Sequence, residues 1–274
     1  MEALRQVEDW PVGMAAVGVT EATAEVGSTG DKAATFPWAS VTKLVTALAT
    51  LVAAEEGVVE LDGPAGPPGS TVRHLLAHAS GLPPEGEIPI AQPATRRIYS
   101  NAGFDVLARV VGEHAEMPFA DYLRQAVLEP LELTASLDGS PASGIIGTLD
   151  DLLALGRELL APRLIAPETL AEATEVAFPG LTGVLPGFGR MDPNDWGLGF
   201  ELRDEKRPHW TGERNSPGTF GHFGQTGSFL WVDPQAGVAC ACLSDRDFGD
   251  WAKEAWPRLS NAVLAELSGT GASV

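Results

Sequence analysis

Positive charge is scarce in this chain. Its 274 residues hold 18 Lys and Arg against 37 Asp and Glu, a net charge of −19. Such a balance repels phosphate backbones and anionic headgroups, so nucleic acid and anionic lipid are not expected partners. The acids are scattered rather than gathered into a tail, which describes a solvated surface. Long apolar runs are missing as well: Leu44 to Ala54 is about half of what a membrane span requires. The N-terminus, Met1-Glu2-Ala3-Leu4-Arg5-Gln6-Val7-Glu8-Asp9-Trp10, lacks the basic start and apolar stretch of a secretory signal, so a cytoplasmic protein is expected. Cysteine is nearly absent. Cys240 and Cys242 sit two apart, where a strand would put them on one face without bridging. No Cys-x-x-Cys spacing offers a metal or redox pair, and a reducing compartment fits. Lysine and tyrosine are rare too, four of the one and two of the other.

What is present begins with Phe36-Pro37-Trp38-Ala39-Ser40-Val41-Thr42-Lys43 and the apolar run after it. Leu44, Val45, Ala47, Leu48, Leu51, Val52, Ala53 and Ala54 are apolar on nearly every face, which predicts a buried helix from Ser40 to about Glu56, stopped by Gly57. Residues 3–10 read as a short amphipathic helix, and Met14–Thr20 with Ala22–Gly27 as a hairpin. Leu61–Gly69 is too rich in Gly and Pro for regular structure. Helices are predicted after Ser70, from Tyr99-Ser100-Asn101, from Pro118 to Leu128, from Thr148 and from Pro167, with no convincing strand between about 60 and 175. Residues 178–195 read as loop, then strands at Gly197–Leu202, Ser228–Val232 and Gly237–Leu243. A helix from about Pro257 to Leu267 and a loose tail over Gly269–Val274 close the chain. Strands at both ends and helices between them predict an α+β fold: an antiparallel sheet built from both termini and flanked by helices, with an all-helical insertion. Residues 1–60 and 178–274 would form the sheet part and 61–177 the helical part, with the site in the cleft between them.

Chemistry concentrates at three places. Ser40, at the head of a buried helix, points its hydroxyl and the free amides of the first turn inward, and Lys43 follows one turn later on the same face. A nucleophile needs a base, and the oxyanion it creates needs donors. Alone, Ser40 reads more simply as a helix cap and Lys43 as a solvated side chain. The other lysines have Thr29, Arg203 and Asp250 at the matching position, so Ser-x-x-Lys occurs once. Tyr99 stands at a loop-to-helix junction with Asn101 two residues on. A nearby ammonium favours phenolate, and the Asn101 amide can bind an ester or amide carbonyl; a packing tyrosine is the plainer alternative. Gly221-His222-Phe223-Gly224-Gln225-Thr226-Gly227 lets a strand edge approach a ligand. The amide after Gly224 is a second oxyanion donor opposite that of Ser40, and His222 would orient or electrostatically steer a substrate; an exposed histidine on a bulged edge strand is the alternative. His74 and His78 have a metal-ligand spacing but no Glu between them in the zinc-protease pattern and no third ligand nearby. No metal and no cofactor are expected.

Taken in order, these groups resemble the serine β-lactamase and penicillin-binding-protein superfamily, in particular its class C-like branch of DD-peptidases, D-amino-acid amidases and family VIII-type carboxylesterases. That branch is marked by Ser-x-x-Lys, Tyr-x-Asn and a Lys/His-x-Gly group on a strand. Thr71–Pro83, Tyr99-Ser100-Asn101-Ala102-Gly103 and Trp196-Gly197-Leu198-Gly199-Phe200 extend the similarity over nearly the whole chain. The resemblance implies Ser40 as the acylated nucleophile, Lys43 as its partner and Tyr99 as acid/base. It also implies Asn101 as a substrate contact, His222 in place of the usual lysine, and Gln225 as a backbone oxyanion donor beside Gly224. A histidine at that position occurs among peptidase and esterase members, which favours a small ester or amide over a β-lactam. The chain is short for the branch, so loops that shape the substrate pocket are expected to be trimmed. A non-catalytic member that binds a ligand in the same cleft is the alternative from another class.

Overall fold

The computed structural model describes residues 1–270. Its centre is a six-stranded antiparallel sheet in the order β2-β1-β11-β10-β9-β8. The strands are β1 (Ala15–Glu21), β2 (Glu25–Thr29), β8 (Glu201–Leu202), β9 (Phe220–Gly224), β10 (Ser228–Asp233) and β11 (Val238–Ser244). Both ends of the chain therefore build one sheet, as the α+β expectation required. β1 pairs β11 with Val17 opposite Cys242, and β10 pairs β9 with Leu230 opposite His222.

Both faces of the sheet are buried, and period-two alternation sorts the side chains between them. Ala239, Ala241 and Leu243 of β11 join the core that contains α1 (Thr42–Glu55). Val238, Cys240 and Cys242 join the opposite one, with Trp231, Trp256 and Leu259. The two cysteines share a face, fully buried and unbridged. Small residues bring α5 (Leu149–Leu160) close to the first face: a Cβ on Gly18 would lie 2.9 Å from Leu153 Cδ1, and one on Gly156 3.0 Å from the Ala239 Cβ. On the other face lie the N-terminal 3-10 segment Glu2–Asp9 and α7 (Asp250–Thr270). They are tied where the Glu2 and Ala3 amides donate to the Glu266 carboxylate. The remaining helices, α2 (Val72–Leu76), α3 (Asn101–His114), α4 (Phe119–Leu123) and α6 (Pro167–Ala173), belong to the helical region. Among the described residues no helix is long and apolar enough to cross a membrane.

Departures from the sequence reading have local causes. β2 starts later than expected because the Thr20 hydroxyl donates to the Ala24 carbonyl and holds Ala22–Ala24 in a turn. Of Gly197–Leu202 only the last two residues are strand. Gly199, at φ +91°, passes so close to α1 that a Cβ would lie 2.1 Å from that of Ala47. The helical region also contains strands: β4 (Ser136–Leu137) and β5 (Ile145–Gly147) join β3 (Phe36–Pro37) in a small sheet. They are too short for alternation to show. The residues 178–195 read as loop include a hairpin, β6 (Gly183–Leu185) and β7 (Gly189–Met191). α7 begins at Asp250 and runs through Pro257, its first turns held by the buried Ala252 and Trp256. Gly269 and Thr270 belong to it, and the rest of the expected tail lies outside the described residues.

Candidate active site

The turn that presents Ser40 is fixed before the helix starts. β3 pairs with β5, the Trp38 amide donates to the Ile145 carbonyl, and Ala39 takes φ 44°. That left-handed conformation in a residue other than glycine is a strained one. Ser40 then sits in a single 3-10 turn, Ala39–Val41, and α1 proper begins at Thr42. The helix thus starts a short turn later than expected, and the Ser40 side chain caps nothing; it receives the Tyr99 hydroxyl at 2.7 Å. Nearly all of α1 is buried, including Lys43.

Lys43 Nζ has three oxygen neighbours: Asn101 Oδ1 at 2.7 Å, the Ala142 carbonyl at 2.9 Å and Ser40 Oγ at 3.2 Å. Burial lowers its pKa to about 7, against the opposing pull of Asp105 and Glu85. A neutral amine has two hydrogens and one lone pair. Two of the neighbours are carbonyl oxygens that can only accept, so the hydrogens go to them and the lone pair is left for the Ser40 hydroxyl. The packing around the amine thereby selects which atom it can deprotonate.

Tyr99 and Asn101 lie at the start of α3, on a segment pinned from several sides. The buried Arg97 donates to the carbonyls of Ala77, Ala177, Phe178 and Asn194. The Ser100 amide donates to His78 Nδ1, and the Ser100 hydroxyl caps α3 at the Gly103 amide. Asn101 donates through Nδ2 to Glu85 at 2.8 Å, which turns its oxygen toward Lys43. Burial raises the Tyr99 pKa, outweighing its bond to Ser40. The phenolate expected from the neighbouring lysine is therefore not the resting form: desolvation wins, and the phenol keeps its proton. His74 and His78 do not form a pair on one helix. α2 ends at Leu76, His74 stacks on Phe178, and His78 turns into the interior against Tyr99 and Trp196. Among the described residues no three His, Cys, Asp or Glu side chains cluster.

His222 comes from β9; the short β8 pairs only with Phe220 and Gly221, so from His222 to Gly224 the strand is partnered by β10 alone and its other edge is free of a strand, as expected. It is buried, with its ring 5.7 Å from that of Tyr99 and 5.5 Å from Trp196. Burial, reinforced by Lys43, lowers its pKa to about 3, so the ring is neutral and the electrostatic steering expected of it is absent. Nδ1–H donates to the Phe223 carbonyl at 2.7 Å, which leaves Nε2 as a buried acceptor without a donor. Gly224 runs against the turn that presents Ser40, where a Cβ would lie 2.5 Å from the Trp38 carbonyl oxygen. The Thr226 and Ser228 hydroxyls donate to the Pro37 and Trp38 carbonyls and lock the two segments together. Ser40, Tyr99, Asn101, His222 and Gln225 line one crevice of about 210 Å³, with Lys43 behind it; Gly224 lies between the lining residues Phe223 and Gln225 and is not itself part of the lining. Sequence reasoning missed Trp196 as part of this lining, His78 packed against Tyr99, Arg97 and Glu85 as supports, and the Ala142 carbonyl. Trp196 and His78 fall in stretches that carry the family resemblance, but the role of each of the five rests on a contact distant in sequence.

An antiparallel sheet covered by helices on both faces, with a serine at the head of a buried helix, defines the β-lactamase/transpeptidase-like fold. The family model described as Beta-lactamase matches residues 7–264, and the chain belongs to that family. Membership supports serine hydrolase activity in general. A crystal structure of a beta-lactamase (Mb2281c) from Mycobacterium bovis is 53% identical, with a TM-score of 0.96 over 97% of this chain and 99% of that one. Two more distant structures share the fold. EstCE1, a hydrolase with promiscuous acyltransferase activity, is 18% identical, with a TM-score of 0.77 over 95% of this chain and 96% of that one. Simvastatin synthase (LovD) from Aspergillus terreus, in the LovD6 mutant form, is 16% identical, with a TM-score of 0.78 over 98% and 96%. Among curated proteins none matches this chain.

Proposed function

We propose that the chain is a serine hydrolase that forms an acyl-enzyme on Ser40 from a small ester or amide. The observation that carries this reading is the Lys43 amine, buried and surrounded so that its lone pair faces the Ser40 hydroxyl. Ser40 Oγ attacks the substrate carbonyl while its proton passes to Lys43 Nζ. The amides of Ser40 and Gln225 receive the oxyanion. As the bond to the leaving group breaks, Tyr99 gives its proton to the departing oxygen or nitrogen and is resupplied from the Lys43 ammonium. Water then repeats the sequence in reverse and frees the acid. Asn101 holds the amine in register, and His222 Nε2 accepts a hydrogen bond from the substrate.

A second reading, hydrolysis of β-lactams, is favoured by the description of the 53%-identical protein. Against it stands the neutral His222: a β-lactam and a D-alanyl peptide both carry a carboxylate, and the residues that line the crevice include no cation to receive it. Chromogenic short-chain esters, a D-alanyl peptide and nitrocefin, assayed side by side, distinguish the substrates. Ser40→Ala is expected to abolish both turnover and labelling by a fluorophosphonate. Labelling that persists, or maps to another serine, refutes the assignment. Stoichiometric acylation without turnover would replace hydrolysis by ligand capture.

A further inference from the structure

Next to the catalytic crevice is a second, larger cavity of about 570 Å³. The two share Tyr99 and Pro186 in their linings and so adjoin one another. Its floor and sides are apolar: Pro84, Ile90, Ile98 and Val184 line it. Ile90 and Val184 are two of only five large hydrophobic residues exposed on the described surface, at 54% and 58%. Large apolar side chains left in water around a concavity mark a binding site rather than a packing remainder.

Its charge is the inverse of the molecule's. Acidic residues outnumber basic ones by 37 to 18 in the chain, yet this lining contains Arg96, Arg97 and Arg190 and no acid. Arg97 is consumed by backbone carbonyls. Arg96 donates to the Ile90 carbonyl and has no carboxylate partner among the described residues, and Arg190 reaches Asp192 only at 3.7 Å. Arg96 thus stands at an apolar cavity with no carboxylate against it, and Arg190 stands there sharing its charge with the exposed Asp192.

We propose that this cavity receives the leaving group of the substrate, an alcohol with an apolar body of several carbons that ends in a carboxylate or a comparable anion. The assignment rests on the hydrolase reading above, in which Tyr99 protonates the departing oxygen. The alcohol must then lie against Tyr99, and the space beyond Tyr99 is this cavity. The reaction is ester hydrolysis: the bond from Ser40 Oγ to the acyl carbon forms, the bond between the acyl carbon and the alkoxy oxygen breaks, the alcohol leaves with the proton from Tyr99, and water then cleaves the Ser40–acyl bond to give the acid.

Acetate esters of 1-butanol, 1-octanol and 8-hydroxyoctanoic acid, followed by pH-stat, test the alcohol side. Ethyl octanoate and the monoethyl ester of octanedioic acid test the acyl side. Each buried methylene is worth about a fourfold change, so kcat/KM is expected to rise at least about tenfold from the butyl to the octyl acetate. The anionic end is expected to add roughly another fivefold. In the double variant Arg96→Gln/Arg190→Gln the ratio of anionic to uncharged octyl ester falls to about one. A flat alcohol series, or a gain confined to the acyl side, overturns the proposal while leaving the hydrolase reading intact. Calorimetric titration of 8-hydroxyoctanoate into the Ser40→Ala protein decides the case without turnover. Binding that Arg96→Gln/Arg190→Gln weakens supports the cavity, and no binding refutes it.

Discussion

Lys43→Met should destroy activity and stabilise the protein, by an amount that pH controls. Lys43 is fully buried, and its pKa falls from 10.5 to about 7 on folding. Below pH 7 both folded and unfolded chains hold the proton, and the folded state bears the whole cost of the buried charge, roughly 5 kcal/mol at 1.36 kcal/mol per unit. Between pH 7 and 10.5 the unfolded chain keeps the proton that the folded chain has released. Wild-type stability therefore rises with pH across that window. Methionine has no proton to lose. Relative to wild type it gains about 4 to 5 kcal/mol at pH 6 to 7, about 3 at pH 8 and about 2 at pH 9. The hydrogen bonds from Nζ to Asn101 and Ala142 are lost at every pH, so they subtract a constant and leave the slope untouched. Urea denaturation of both proteins at pH 6, 7, 8 and 9 measures that slope. Parallel curves, with a difference independent of pH, would mean that Lys43 titrates normally and is no neutral base.

The same amine predicts that kcat/KM on an uncharged ester climbs with pH through about 7 as Lys43 gives up its proton. Glu85→Gln removes a charge that raises the Lys43 pKa, so it should move that limb to lower pH; a limb that stays in place or moves to higher pH counts against the assignment. Gly224→Ala forces a Cβ to within 2.5 Å of the Trp38 carbonyl oxygen, just ahead of the nucleophile. A displacement of even an ångström there costs about a hundredfold in kcat/KM, and an alanine variant with full activity would show that the strand and the nucleophile turn are not coupled.

The sequence showed most clearly what depends on local pattern. The all-round apolar run of α1 and the opening of α3 at Tyr99-Ser100-Asn101 follow from local sequence, and so does the shared face of Cys240 and Cys242. Elements of two or three residues stayed hidden: β4 and β5 exist because Phe36–Pro37 offers an edge to pair with, and nothing in Ser136–Leu137 announces it. Ionisation was the least legible property. The spacing of Ser40, Lys43, Tyr99 and His222 suggested charged groups at work, but their pKa values are set by burial, which is a property of the assembled cleft. Glu85 left no trace, since its bond to Asn101 spans 16 residues of irregular chain.

These ionisation states fit together only as a set. A protonated Lys43 would need anionic company, yet its immediate partners are a hydroxyl, an amide and a carbonyl, all neutral. A protonated His222 would repel that amine across a small crevice, and burial removes its proton. A phenolate at Tyr99 would have to form in the same desolvated space, and burial restores its proton instead. Each group is pushed to the uncharged form by the same exclusion of water, and each uncharged form is the one the chemistry requires: a free lone pair, an acceptor nitrogen and a proton to give. Since the inner crevice thereby forfeits any fixed positive charge, the proposed recognition of a substrate anion falls outside it, where Arg96 and Arg190 stand at the wider cavity.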